Sequence, residues 1–123
     1  MVDKNDTAAV LIEHIIEAIE DVKGENILTL DLRNLDNSPC NFFVICSGNS
    51  NTQVNAIENA IQKKVSRAIH EKPFHIEGSQ VAEWVLLDYI NVVVHIFQKH
   101  IREYYNIEVL WGDAITTHIA SNY

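Results

Sequence analysis

Cysteine, glycine, proline and basic residues are all scarce in this 123-residue chain, and several shortages exclude a class of protein. Two cysteines, Cys40 and Cys46, are too few for a disulfide scaffold or a cysteine-rich zinc site. We interpret both as reduced thiols, with Cys40 near the surface and Cys46 buried. Four scattered glycines cannot form the closely spaced triplet of a dinucleotide-binding loop. No apolar run approaches the roughly 18 to 20 residues that span a membrane.

The chain carries 9 Lys and Arg against 17 Asp and Glu, which gives a formal net charge of −8. We expect little direct nucleic-acid binding, because affinity without sequence preference comes from Lys and Arg that neutralise phosphates. An acidic surface suits a basic protein partner, since opposite potentials speed encounter. The polar N-terminus lacks the basic segment and apolar run of a secretory signal, which predicts a cytoplasmic protein without membrane association.

Hydrophobic periodicity separates helical segments from strands along the chain. The predicted helices cover residues 6–23, 51–70 and 98–105, the second of them capped by Ser50. The predicted strands cover residues 27–32, 42–46, 74–77, 84–89 and 92–97. Residues 107–111 form an apolar segment of uncertain type, and no clear pattern extends over residues 115–123. Gly24 suits the left-handed position that follows the first helix.

This interleaving of helices and strands, without a linker or repeat, predicts one α/β domain with a mixed sheet and packed helices. We expect a flexible N-terminus at residues 1–6, the domain at residues 7–114 and a C-terminal tail at residues 115–123. The last two predicted strands are joined by Ile90-Asn91, which suggests a hairpin. The fit of this hairpin is imperfect, because Ile90 disfavours the positive φ that such a turn requires.

Tests for catalytic and metal chemistry favour a protein without either. The turn at residues 47–50 leads into a helix, as in nucleotidyltransferases, but residues 51–54 lack the paired carboxylates that hold magnesium there. Cys46 has no catalytic partner evident in the sequence. Asp31 and Asp88 could form an acid/base pair, or they could be rim groups at strand ends. We predict no catalytic residues, no metal and no cofactor.

The segment Glu77–Ala114 differs in composition from the rest of the chain. It contains both tryptophans and three of the four tyrosines, residue types that dominate binding hot spots together with arginine. Strand alternation places Val93, His95 and Phe97 on one face of their strand and Val92, Val94 and Ile96 on the other. We expect that face, with Arg102 and Tyr105 nearby, to form an exposed docking patch. Aromatic packing in a core is the alternative for some of these residues, and His95, within an apolar strand, could be a core or edge histidine.

Six motifs also occur in a particular order along the chain. They are Cys46-Ser47-Gly48-Asn49-Ser50, Glu77-Gly78, Trp84 with Asp88-Tyr89, Val94-His95-Ile96-Phe97, Arg102 with Tyr105, and Glu108-Val109-Leu110-Trp111-Gly112-Asp113-Ala114. The ordered set, over about residues 8–114, resembles the ribosomal silencing factors, known as the RsfS or Iojap family. The chain departs from the family pattern at Asn41, where the family usually has Asp, and at Ile90-Asn91, where it has Gly-Asp.

The resemblance implies a nucleotidyltransferase-like core without catalytic acids. It also implies a translational repressor that binds large-subunit protein fourteen of the ribosome and sterically blocks joining of the small subunit. The predicted partner-binding residues are Glu77, Trp84, Asp88, His95, Phe97, Gln98, Arg102, Tyr105, Leu110 and Trp111. Two alternatives stay open: a diverged nucleotidyltransferase-like enzyme, and a homodimer whose interface competes with ribosome binding.

Overall fold

A mixed six-stranded sheet organises the chain, with helices on both of its faces. The computed structural model describes residues 4–121, with side chains from residue 7 onward. Its elements are α1 (Lys4–Asp21), β1 (Glu25–Asp31), β2 (Phe42–Gly48), α2 (Asn51–Ile69), β3 (His75–Glu77), β4 (Trp84–Asp88), β5 (Val92–Gln98), α3 (Lys99–Tyr105), α4 (Ile107–Leu110) and β6 (Ile115–His118). The strand order is β3-β4-β5-β2-β1-β6. The α/β class with a mixed sheet, predicted from the sequence, is confirmed.

The two central strands, β2 and β5, are the only parallel pair among the described strands, and their residues are almost all buried. Burial on both faces explains why these segments are continuous apolar runs rather than alternating ones. On one side, the helix face, α1 and α2 cover the sheet, and Val44 and Val94 contribute to this core. On the other side, the aromatic face, Phe43 and Phe97 pack beneath the chain that carries α3 and α4.

Both long helices end close to their predicted limits. The Ser50 Oγ atom accepts a hydrogen bond from the Gln53 backbone N–H at 3.1 Å, which confirms the predicted cap of α2. After α1, the left-handed residue is Lys23, with φ of 60°, and not Gly24 as predicted. Gly24 is needed for a different reason: a Cβ atom there would clash with the side chain of Ile19.

The ends of the chain differ from the sequence-based expectation. Residues 115–118, which showed no pattern, form β6 and pair with β1, so that Leu28 lies opposite His118. All four residues of β6 are exposed, so the strand is defined by main-chain pairing and not by an apolar face. The predicted flexible N-terminus, residues 1–6, lies partly outside the described residues, and α1 begins at Lys4.

The β4–β5 connection contains three residues and places Ile90 in a rare conformation. Ile90 has φ of 74°, and the Asn91 N–H donates to the Tyr89 carbonyl oxygen at 3.0 Å. This hydrogen bond encloses a γ-turn of the kind that is strained for any residue with a side chain. A β-branched side chain at positive φ is the least favourable choice. The antiparallel pairing of β4 with β5 confirms the predicted hairpin, although Tyr89 joins Ile90 and Asn91 in its connection. The strain falls on Ile90, where the sequence indicated a conflict.

Ile90→Gly is expected to stabilise the protein by about 1 kcal/mol, because relief of the left-handed strain exceeds the entropy that glycine adds to the unfolded chain. Thermal unfolding should then shift upward by about 4 °C. Ile90→Ala is the matched control, since it removes the exposed side chain but keeps the Cβ atom that causes the strain. An equal gain in both variants would assign the effect to the side chain and contradict the backbone explanation.

Candidate protein-docking surface

Strand alternation in β5 divides its residues between the two faces of the sheet as predicted. Val92, Val94 and Ile96 join the core under α1 and α2, whereas Val93 and Phe97 join the core of the aromatic face. The prediction that His95 and Phe97 form an exposed patch is wrong, and the alternative of a core position is confirmed, because only 5% of His95 and none of Phe97 is accessible. Side chains from four other segments cover them.

Stacked and edge-on rings form this cover over β5. Trp84 stacks on Phe97 with ring centroids 4.8 Å apart, and Tyr105 lies 4.9 Å from Trp84. On the other side, Phe43 packs edge-on against His95 at 4.5 Å and against Trp111 at 5.8 Å. The rings come from β4, α3, β2 and the residue after α4, so this network ties four parts of the chain together.

His95 is the polar centre of the ring network. Its Nδ1 atom accepts a hydrogen bond from Trp84 Nε1–H at 3.1 Å, so the proton of the neutral ring is on Nε2. Nε2 has no hydrogen-bond partner among the described residues. Burial lowers the pKa of His95 from 6.5 to about 4, because the charged ring would lose its water. His95 is therefore neutral near pH 7 and orients Trp84 from within the core.

Arg102 is also buried, which contradicts its predicted place on an exposed face. Its guanidinium donates to the Asn26 carbonyl oxygen at 2.7 Å and to Ser47 Oγ at 2.8 Å. The same group pairs with the Glu108 carboxylate at 2.8 Å. Because these three partners lie on β1, β2 and α4, Arg102 anchors the short helices to the sheet. It can support a docking surface but has little surface of its own to offer.

The remaining predicted residues lie around this network in different settings. Gln98 donates from Nε2 to the Ala82 carbonyl oxygen at 3.0 Å and holds the loop before β4. Asp88 accepts from the Ile90 N–H at 2.7 Å and shapes the strained turn. Glu77 is exposed on edge strand β3 and lies opposite Leu86, so it faces the aromatic side. Of the three, Glu77 is the most exposed, although its carboxylate already lies 2.7 Å from the His75 ring on the same strand.

A patch of exposed apolar side chains covers the ends of α3 and α4. Tyr104 is 81% accessible and Leu110 is 76% accessible, with Tyr105 and Val109 also exposed between them. Trp84 and Trp111 are half-buried beneath this patch. We call this set the docking surface: Trp84, Tyr104, Tyr105, Val109, Leu110 and Trp111. Exposed aromatic and aliphatic side chains grouped in this way mark interaction sites in soluble proteins.

Sequence reasoning missed Tyr104 and Val109, although a signal for Val109 was available. The segment 107–111 was left without a type, but in a helix Ile107 and Trp111 share one side. Ile107 is buried in the structure, and Val109 and Leu110 point away from it. A helical interpretation of this segment would have identified Val109 as exposed, together with Leu110, which was already predicted.

The geometry gives little support to the hypotheses of an Asp31–Asp88 acid/base pair or a nucleophilic Cys46. Asp31 and Asp88 lie on β1 and β4, with β5 and β2 between them, so about 14 Å separates their strands. The Arg33 side chain beside Asp31 holds the pKa of that carboxyl below its usual range. Cys40 is buried rather than near the surface as predicted, and burial raises the pKa of Cys46 to about 12. Cys46 is thus protonated at neutral pH and a poor nucleophile.

Among residues 4–121, no group of three or more His, Cys, Asp and Glu side chains could hold a metal ion. No helix within those residues is long and apolar enough to cross a membrane.

Fold and surface together define a small α/β protein whose mixed sheet presents an aromatic docking surface on one side. Residues 5–122 match the family model described as "ribosomal silencing factor during starvation". The chain belongs to this ribosomal silencing factor family, and the resemblance inferred from its motifs is confirmed. The family name denotes a regulatory factor that acts on ribosomes.

Individual relatives agree with the family assignment. The chain is 40% identical over 109 residues to the ribosomal silencing factor RsfS of Halalkalibacterium halodurans, covering 89% of this chain and 92% of the relative. It is 44% identical over 98 residues to that of Bacillus subtilis, covering 79% and 80%. The crystal structure of a protein from Chromobacterium violaceum superposes with a TM-score of 0.79 at 39% identity, covering 85% of both chains.

Proposed function

We propose that this protein is a cytoplasmic translational repressor that binds the large ribosomal subunit through large-subunit protein fourteen and blocks joining of the small subunit. The observation that carries the proposal is the docking surface, found on a member of the ribosomal silencing factor family. The exposed side chains of Tyr104, Val109 and Leu110 can contact a partner without rearrangement of the core. Tyr105 can do so while its ring stays against Trp84.

The exposed and the buried members of the predicted site have different roles in this proposal. Tyr105, Leu110 and the accessible parts of Trp84 and Trp111 contact the partner. His95, Phe97 and Arg102 hold those side chains in position from below, as positioning residues. A preformed aromatic surface binds with little loss of conformational entropy, because its rotamers are already fixed by the ring network.

Repression in this proposal is steric and needs no catalysis. A stable protein interface covers about 800 Å² on each partner. A rigid domain bound to the face of the large subunit that meets the small subunit would occupy space that the small subunit needs. The net charge of −8 favours this association, because a basic ribosomal protein would attract it at long range.

Sedimentation of purified ribosomal subunits tests the proposal directly. The protein should migrate with large subunits and not with small subunits, and increasing amounts should reduce the yield of joined ribosomes. A chain that migrates free of large subunits, or that binds them without reducing joining, would contradict the proposal.

The docking surface also favours a second candidate, a homodimer formed through the same side chains. If one surface serves both uses, adding isolated protein fourteen should convert dimers into complexes that contain one copy of each protein. Analytical ultracentrifugation distinguishes the cases, because a dimer that persists with bound partner must use a different interface.

A further inference from the structure

Basic residues are scarce in this chain, yet three of the nine lie around one surface depression. We call Lys63, Arg67 and Lys72 the cationic patch. The depression has a volume of about 450 Å³ and lies between α2 and the segment that leads into β3. Its lining is completed by Gln62, Ser66, Pro73 and Ile76. The lining thus combines three cations and two neutral polar groups with no carboxylate.

The three cations are exposed and have no ion pair among the side chains of residues 7–121. Lys64, their neighbour on α2, is different, because it pairs with Glu17 at 3.3 Å and Asp21 at 3.1 Å. The nearby acid Glu58 is buried and accepts a hydrogen bond from Ser79 Oγ at 2.6 Å. Asp21 lines a neighbouring depression with Lys63 and Arg67, and Glu71 lines another with Lys72, but neither acid forms an ion pair with a patch cation within the described part of the protein.

Compensation of the α2 helix dipole explains only part of this cluster. Arg67 lies in the last turn of α2, where a cation offsets the partial negative charge of the helix end. Lys72 follows the helix, and Lys63 lies well before its last turn, where the effect is weak. The clustering of unpaired cations in a chain whose net charge is −8 indicates an anionic ligand.

The cationic patch and the docking surface lie on opposite sides of the sheet but approach the same edge. Ile76 of β3 lines the patch depression, on the side of α2. Its neighbour Glu77 pairs with Leu86 and therefore faces the aromatic side. When this protein is bound through the docking surface, the cationic patch would therefore lie at the β3 edge. There it would face the molecules that lie next to the protein partner.

We propose that the cationic patch binds the phosphate backbone of ribosomal RNA beside the docked protein, an inference that rests on the proposed function. Lys and Arg neutralise phosphates and release their counterions, and the Gln62 and Ser66 side chains can donate hydrogen bonds to phosphate oxygens. Three cations on an acidic protein give little affinity for RNA alone. They add affinity once docking has placed them at a high effective concentration.

The experiment compares two double variants with the same change in charge. Lys63→Gln with Lys72→Gln removes two cations from the patch, whereas Lys23→Gln with Lys99→Gln removes two from elsewhere. Binding of each to purified large subunits, to isolated protein fourteen, to a 20-base-pair RNA duplex and to phosphatidylglycerol vesicles is measured over a range of salt concentrations. Thermal unfolding of each variant confirms that the fold is intact.

The patch variant should bind large subunits roughly tenfold more weakly at low salt, with the slope of log affinity against log salt reduced by about 1.5. Its affinity for isolated protein fourteen should equal that of the wild type, and the control variant should match the wild type on subunits. Wild-type affinity and slope in the patch variant would overturn the proposal. Equal losses on subunits and isolated protein fourteen, or patch-dependent binding to vesicles but not to RNA, would overturn it as well.

Failure of the proposed function gives a different result. If the wild-type protein does not bind large subunits, the repressor proposal is wrong. Binding to the RNA duplex at low salt then tests the phosphate site of the cationic patch independently. Weak wild-type binding to the duplex that falls at least fivefold in the patch variant, but not in the control, would retain the phosphate site. Equal binding of the duplex by the wild type, the patch variant and the control variant would contradict the phosphate site.

Discussion

Replacing Tyr105 and Leu110 together by alanine is expected to weaken binding to isolated large-subunit protein fourteen by at least about 30-fold, or roughly 2 kcal/mol. Both side chains are more than half accessible, so their removal takes contact area mainly from the interface. Because Tyr105 also packs against Trp84, thermal unfolding of the variant is measured alongside binding. Titration calorimetry or surface plasmon resonance measures the affinity. Subunit joining should recover in parallel, because the variant would leave the large subunit free.

The chain offers a matched control for this double variant. Phe74 is 78% accessible and Val81 is 64% accessible, and both lie outside the docking surface. Phe74→Ala with Val81→Ala removes one aromatic and one aliphatic side chain, as the test variant does. Wild-type affinity in the test variant, or an equal loss in the control, would refute the assignment of the surface. Phe97 is unsuitable for this test, because a truncation there opens the core.

His95 gives the second large effect, a loss of stability in mild acid. The pKa of His95 in the folded protein is about 4, below its ordinary value of 6.5, so between these pH values the unfolded chain binds the extra proton. The contribution of neutral His95 is fully present above pH 6.5 and is lost as the pH falls toward 4. A lowering of this size corresponds to about 3 kcal/mol of unfolding free energy.

Urea denaturation at several pH values between 7 and 4 measures this loss. His95→Gln is the informative comparison, because glutamine can accept the Trp84 hydrogen bond but does not titrate in this range. The difference in stability between the two proteins should change by about 3 kcal/mol across the interval, since other groups titrate equally in both. Parallel curves for wild type and variant would show that His95 is not responsible.

Local patterns predicted most of the sheet and both long helices, because each of these elements has an apolar periodicity of its own. The alternation in β5 correctly separated Val94 from His95 and Phe97. It could not show which of the two faces is covered. That depends on Trp84, Tyr105 and Trp111, which reach β5 from elsewhere in the chain. Exposure is thus a property of the assembled network and not of the strand.

Two other features were hidden from sequence reasoning for related physical reasons. β6 is a strand because its backbone pairs with β1, and its exposed residues have no alternation that would indicate this. Arg102 looked like a surface hot spot, because arginine is common at interfaces. Its burial depends on partners at Asn26, Ser47 and Glu108, which only the tertiary fold brings together.

The parallel pairing of β2 with β5 has a consequence for how the chain folds. Phe42 lies opposite Val92 in the centre of the sheet, and α2, β3 and β4 all intervene in the sequence. The entropy of closing so long a loop is lost before the central contacts can compensate for it, which slows the search for the native state. The rate-limiting event in folding should therefore be this central closure. On a ribosome that is synthesising the protein, the sheet can form its middle only after β5 has emerged.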